Sequence, residues 1–260
     1  MNVLIVGDIV GRTGRRVVKE VMRSYRKKYR ADFVIANGEN AAGGNGITRE
    51  IADELFKEGI DFITMGNHTW DKKEILQFIE HEPCLIRPAN YPPDTPGKGS
   101  AVIKLENQLK IGVINLSGRV FMTPLDCPFR TAEALVKTIA RETPNIIIDF
   151  HGEATSEKIA FAWYMDGKVS AVIGTHTHVQ TADERILPQG TGYITDVGMT
   201  GPQNSVLGVR TDLVIQKFLT QMPVRFEVAE GTAQLNGLFL RIDEKTGKTI
   251  LVERINQIIL

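Results

Sequence analysis

The stretch Val169–Ala182 reads VSAVIGTHTHVQTA. Its apolar run, Val169–Ile173, stops at Gly174, and two histidines follow with one residue between them, His176 and His178. A short apolar run bounded by a glycine is the pattern of a buried strand. In an extended segment residues i and i+2 share a side. Both imidazoles are therefore expected to face one place just past the strand. Two histidines on one side are either a metal grip or a coincidence, and the other strand ends discriminate between the two.

Four further apolar runs end in polar groups of the same kind. Val3–Val6 ends in Gly7-Asp8, and Asp32–Ala36 in Asn37-Gly38-Glu39-Asn40. Asp61–Met65 leads into Gly66-Asn67-His68, and Asn145–Phe150 into His151-Gly152-Glu153. Segments of helical periodicity separate them. Arg15–Lys28 carries Val17, Val18, Val21, Met22 and Tyr25 on one face, and a second helix starts at Thr48, a candidate N-cap. Asp71–Glu80, Thr131–Glu142 and Ser156–Met165 complete the set. This alternation predicts an α/β protein with a largely parallel sheet. In such sheets ligands collect beyond the carboxyl ends of the strands.

The remaining segments are less regular. Pro83–Gly99 and Val120–Pro128 are proline-containing loops, and Asp196–Gly208 is glycine-rich. Ser100–Glu106 with Leu109–Leu116 reads as a hairpin, as does Glu184–Leu187 with Gly192–Thr195. Thr211–Leu219 is a short helix by pattern, and Arg225–Ala229, Leu235–Ile242 and Thr249–Ile258 are strands. The expected fold is an α/β sandwich: a mixed, largely parallel first sheet, and a second, antiparallel sheet from the C-terminal strands. No repeat or linker divides the chain. Residues 1–260 are expected to form one domain, with small insertions near 83–99, 118–130 and 198–210 as candidates to shape a pocket.

The composition narrows the function class. Lysine plus arginine equals aspartate plus glutamate at 31 each, so no global field points to nucleic acid or an anionic membrane. No apolar run approaches the ~20 residues of a membrane span. Met1-Asn2 runs straight into the first strand without a charged leader region, and Cys84 and Cys127 lack a CxxC partner. Reduced thiols in a cytoplasmic protein are the expectation.

Seven strand-end residues then stand together: Asp8, Glu39, Asn67, His68, His151, His176 and His178. Each alone has an ordinary structural explanation as a cap, a turn or a buried polar group. Seven mixed nitrogen and oxygen donors beyond one set of strands are harder to explain separately. Donors of this kind, without thiolate, suit zinc, manganese or iron. They are too many for one open catalytic ion and suit two ions sharing a bridging carboxylate, an arrangement used for displacement at phosphorus. The glycines after the first strand, Gly7, Gly11 and Gly14, fit neither GxGxxG nor GxxxxGK[ST]. No GxSxG elbow is present.

These motifs resemble the calcineurin-like metallophosphoesterases, whose marks are GD after the first strand, GNH after the third, a later lone histidine and a GxHxH. Here they are Gly7-Asp8, Gly66-Asn67-His68, His151 and Gly174-Thr175-His176-Thr177-His178. Two positions depart from the superfamily pattern. The usual DxH is Asp8-Ile9-Val10, and the usual bridging aspartate motif is Asn37-Gly38-Glu39-Asn40. Both departures resemble one subgroup, the YmdB family of bacterial phosphodiesterases. NGENAAGGNGIT, GNHTWDKKEI, RPANYP, DFHGEATSEK and TDVGMTGP extend the similarity along the chain.

The resemblance implies a fold of two mixed β-sheets flanked by helices, and a cytoplasmic phosphodiesterase with two ions, iron or manganese first and zinc as an option. It implies a cyclic nucleotide, 2′,3′ or 3′,5′, as substrate, and leaves a homo-oligomer open. By position, Asp8, Glu39, Asn40 and His178 would hold one ion, and Glu39, Asn67, His151 and His176 the other. His68 would donate a proton to the leaving oxygen, histidine being the natural acid near neutral pH. The expected reaction is in-line attack by a hydroxide held between the ions. A phosphomonoesterase or nucleotidase, and a nucleotide sensor without turnover, are the competing readings.

Overall fold

The apolar runs Val3–Val6, Phe33–Ala36 and Ile146–Ile148 are buried residue after residue. Strands of this kind must be covered on both faces. The computed structural model, which describes residues 1–259, covers them in four layers. The first part of the chain contains β1 (Asn2–Val6), β2 (Asp8–Ile9), β3 (Phe33–Asn37), β4 (Phe62–Thr64) and β5 (Leu85–Ile86). The middle contains β6 (Ser100–Lys104), β7 (Lys110–Ser117), β8 (Ile146–His151), β9 (Ala171–Thr175), β10 (Arg185–Ile186) and β11 (Gly192–Ile194). β12 (Met199–Pro202), β13 (Ala233–Ile242) and β14 (Thr249–Ile259) follow. The α-helices among the described residues are α1 (Gly11–Tyr29), α2 (Arg49–Lys57), α3 (Pro128–Ile139), α4 (Thr155–Met165) and α5 (Thr211–Thr220).

Two mixed sheets result. The first has the order β2-β12-β13-β1-β3-β4-β5, with β14 also paired to β13. β1, β3, β4 and β5 are parallel neighbours. The second has the order β10-β11-β9-β8-β7-β6, parallel from β11 through β7 and antiparallel at both edges. Strand alternation then sorts the core. Val3, Ile5, Phe33 and Ile35 point between the sheets and meet Val113, Ile147 and Ile173. Leu4, Val6, Val34 and Ala36 point outward to Val17, Val18 and Met22 of α1 and Leu55 of α2. On the far side Ile146, Ile148 and Phe150 meet Val136 of α3 and Phe161 of α4.

The C-terminal strands do not build the second sheet, contrary to expectation. β13 lies antiparallel to β1 inside the first sheet and carries β14 with it. Leu238, Leu240 and Ile242 of β13 enter the core between the sheets, and Leu235 and Phe239 the core under α1. A strand buried on both faces belongs in a sheet's interior. Arg225–Ala229 is not a strand either: it makes one bridge, Val209 to Val228, and exposes Arg225 and Phe226. The expected helix at Asp71–Glu80 is two short 3-10 turns, Lys73–Gln77 and Ile79–His81, broken at Phe78. Helix α1 starts at Gly11, four residues before its periodicity shows. Gly14 is needed in its first turn because a side chain there would strike the Thr200 carbonyl of β12. Thr48 does cap α2, its hydroxyl accepting from the Ile51 N–H at 3.3 Å. No described helix is long and apolar enough to cross a membrane.

Candidate metal centre

Both sheets deliver polar residues to one edge. Asp8 opens β2 directly after β1, Glu39 and Asn40 follow β3, and Asn67 and His68 follow β4. From the second sheet come His151, the last residue of β8, and His176 and His178 after β9. The extended geometry expected of the two later histidines is not what brings them together. The strand stops at Thr175, and His176 and His178 adopt φ of 100° and 64°. They reach the shared cavity through left-handed backbone, a conformation uncommon for residues with a side chain. Gly66 shows how tight the convergence is. A side chain there would collide with the Glu39 carboxylate and the His151 ring.

The side chains fall into two groups. In the first, Nε2 of His151 lies 2.8 Å from Glu39 Oε1, 3.0 Å from Asn67 Oδ1 and 3.0 Å from His176 Nδ1. In the second, Nε2 of His178 lies 3.3 Å from Asn40 Oδ1 and 4.0 Å from Asp8 Oδ1. Glu39, His151 and His176 alone bring three potential ligand atoms within 4.8 Å of one another.

Neighbouring groups decide which atoms are free to ligate. The Thr175 hydroxyl donates to Asp149 Oδ1 at 2.7 Å, so it accepts from His151 Nδ1–H at 2.9 Å. That leaves the lone pair on His151 Nε2, facing the first group. The Leu207 carbonyl, which can only accept, takes His178 Nδ1–H at 3.0 Å and frees Nε2 in the same way. Asn40 donates its amide to Gly44 O at 2.9 Å and turns Oδ1 inward.

A cation is the missing partner of these atoms. Asp8 Oδ1 and Glu39 Oε1 are buried and accept no hydrogen bond. His151 Nε2 is near Glu39 Oε1 without directing a proton at it, and it faces His176 Nδ1, another nitrogen. Buried acceptors facing one another are costly unless a positive charge lies among them. The residues therefore fit metal ions. Without metal, protons must serve. Burial opposes a charge on His151, but Glu39 above all raises it to about 9. Burial and the His151 charge hold His176 down at about 3. Burial pushes Asp8 up to about 7, whereas Glu39, although buried, is drawn down to about 2, chiefly by His151.

His68 stands at the rim. Its backbone N–H donates to Glu39 Oε2 at 2.9 Å, and its Nδ1 lies 2.9 Å from Asp71 Oδ2. The Asp71 carboxylate orients the ring and leaves Nε2 unengaged. The cavity, about 310 Å³, is lined by Glu39, Asn40, His68, His176, His178 and Leu207, among others. Leu207 and Val209 bring the segment after β12 to its wall; neither proline-containing loop lines it.

Several supporting residues carry no functional signal in the sequence. Asp149 is buried under the centre and accepts from Thr64, Thr175 and Asn37. Lys158, also fully buried, donates to Asp196 Oδ2 and Thr175 O, each at 2.7 Å. Asp196 accepts from the Thr177 N–H as well, so this pair clamps the backbone between the two histidines. Asp71 reads in the sequence only as a helix start. His81 lies exposed in its 3-10 turn, away from the centre, in keeping with its charged neighbours.

Comparison with known proteins gives the same grouping. The profile of the YmdB-like protein family matches residues 4–255. The chain belongs to the YmdB-like family. A relative of Bacillus subtilis (strain 168), a 2′,3′-cyclic-nucleotide 2′-phosphodiesterase, is 55% identical over 98% of this chain and 96% of its own length. A putative phosphatase/phosphodiesterase of Mycoplasma genitalium is 40% identical over 98% of this chain and 92% of its own. Among solved structures, a hypothetical protein from Thermus thermophilus superposes with a TM-score of 0.93 at 40% identity, each chain 99% covered. A phosphatase of Mycoplasma pneumoniae also gives 0.93, at 38% identity, covering 99% of this chain and 93% of its own.

Proposed function

We propose that this member of the YmdB-like family is a di-metal phosphodiesterase that opens 2′,3′-cyclic nucleotides. The observation that carries the reading is the pair of buried, unsatisfied carboxylate oxygens, Asp8 Oδ1 and Glu39 Oε1, among imidazoles whose Nε2 lone pairs face inward. Asp8, Asn40 and His178 would hold one ion, Asn67, His151 and His176 the other, and Glu39 would contribute to both. Nitrogen and oxygen donors suit manganese, iron or zinc. Two such cations supply an activated water and neutralise charge on the phosphoryl group.

The protein's own residues would do the rest. His68 would pass a proton from Nε2 to the departing ribose oxygen, with Asp71 fixing its ring. Opening at the 2′ oxygen leaves a nucleoside 3′-phosphate, the outcome named for the Bacillus subtilis relative. The overall architecture supports a metallophosphoesterase sandwich, with all candidate ligands at strand ends of its two sheets. The free thiols of Cys84 and Cys127 suit a reducing, cytoplasmic setting.

The test is product analysis. Manganese-loaded protein should convert 2′,3′-cyclic AMP to the 3′-phosphate and cleave bis-p-nitrophenyl phosphate faster than the monoester. Exclusive cleavage of the monoester would favour the phosphatase reading that the Mycoplasma names also carry. Tight nucleotide binding without turnover would leave a sensor. A 3′,5′-cyclic nucleotide in the same panel measures whether the site also accepts the six-membered ring.

A further inference from the structure

Helix α5 turns its apolar side outward. Ile215, Phe218 and Leu219 recur at i, i+3 and i+4, and Met222 follows just after the cap. They are exposed by 55%, 73%, 80% and 62% respectively. The helix buries only Val214. α1, by contrast, places Val17, Val18 and Met22 in the core. The segments that enter and leave α5 add Leu207 and Phe226, each about half exposed. At roughly 200 Å² for a fully exposed side chain of this size, these residues leave on the order of 700 Å² of apolar surface in water. The largest patch on an ordinary monomer is ~300–600 Å². A standard complex takes ~800 Å² from each partner.

We propose that this face packs against the same face of a second copy of the chain, giving a twofold dimer. Area is the first reason, since the patch alone nearly supplies one side of a stable interface. Charge is the second. Arg210 pairs with Asp212 at 2.7 Å and with Glu227 at 2.9 Å, so the charges flanking α5 are neutralised within the chain. A face of this kind offers no repulsion to its own copy, which a twofold interface requires. Two α5 helices packed antiparallel would set the end bearing Asp212 beside the partner end bearing Lys217, the arrangement the helix dipoles favour. A membrane-surface helix would instead carry a basic polar side. The face begins at the metal cavity: Leu207, whose carbonyl holds His178, lines the cavity wall and is half exposed.

Mass measurement by light scattering on the metal-loaded full chain tests this, at about 100 µM, where a micromolar dimer is mostly assembled. The wild type should show at least twice the chain mass of 28.9 kDa. The double variant Phe218→Asp/Leu219→Asp should fall to the single-chain mass with an unchanged circular dichroism spectrum. A milder variant, Phe218→Ser, should weaken assembly at least ~10-fold and guards against misfolding of the double variant. Leu76→Asp, a change at an exposed leucine on another element, should leave the mass as in the wild type. A monomeric wild type would overturn the proposal and leave the face to a different protein. Variants of α5 that keep the wild-type mass would overturn it equally.

Discussion

His151 and His178 present the same atom to the centre from different foundations. His151 ends a fully buried strand, and its ring is fixed through Thr175 to Asp149, a carboxylate that itself takes three hydrogen bonds. His178 stands on left-handed backbone past the end of β9, and its ring is fixed by one carbonyl, that of Leu207. Leu207 is itself at φ 53°. The first half of the centre is therefore continuous with the core, and the second depends on a loop. Shared chemistry does not require shared rigidity. The ion held by Asn67, His151 and His176 should bind tightly, and the ion held by Asp8, Asn40 and His178 should exchange more readily. Glu39 joins the halves.

The largest expected effect follows from removing that join. Glu39→Ala should lose both ions and all turnover, measured by elemental analysis and cyclic-nucleotide hydrolysis. Full activity in this variant would sink the whole assignment. His68→Ala should keep both ions and lose roughly 10²–10⁴ in kcat, the usual worth of a positioned general acid. If metal departs with the ring, His68 is a ligand and the division into halves needs another member.

Thr175→Val sharpens the comparison from the rigid side. It removes the acceptor that fixes the His151 tautomer, so affinity for the tighter ion should drop about 10–100-fold. The looser ion should be nearly unaffected, which competition with a metal-sensitive dye can resolve. Acidity gives the smallest and most graded effect. In the metal-free protein Asp8 is raised to about 7 and His151 to about 9, so both hold protons that an ion must displace. Apparent manganese affinity should therefore rise with pH from 6 toward ~9. A flat profile would mean that neither group loses a proton on binding.

Much of this arrangement is legible in the residues. The runs at Val3, Phe33, Ile146 and Ala171 can only be central strands, because they are apolar on both faces. The donor types after them stand out because Asp, Asn and His at successive strand ends have no common structural purpose. The placement of β13 is not legible, since its alternation satisfies the interior of either sheet. Nor is the positive φ of His176 and His178, which contradicts the expected alternation. Thr175, Asp149, Asp71 and the buried Lys158–Asp196 pair are hidden for a different reason. A threonine in a strand or an aspartate before a turn has many ordinary uses, and only three-dimensional contact distinguishes this one.

The central claim is that strand-end residues hold two ions on unequal foundations. Titration of manganese into metal-stripped wild type and Asn40→Ala, followed by calorimetry, tests it most directly. The account predicts two ions per wild-type chain with distinct affinities, and one ion, the tighter, in Asn40→Ala. A single ion in the wild type, or loss of the tighter ion in Asn40→Ala, would contradict it.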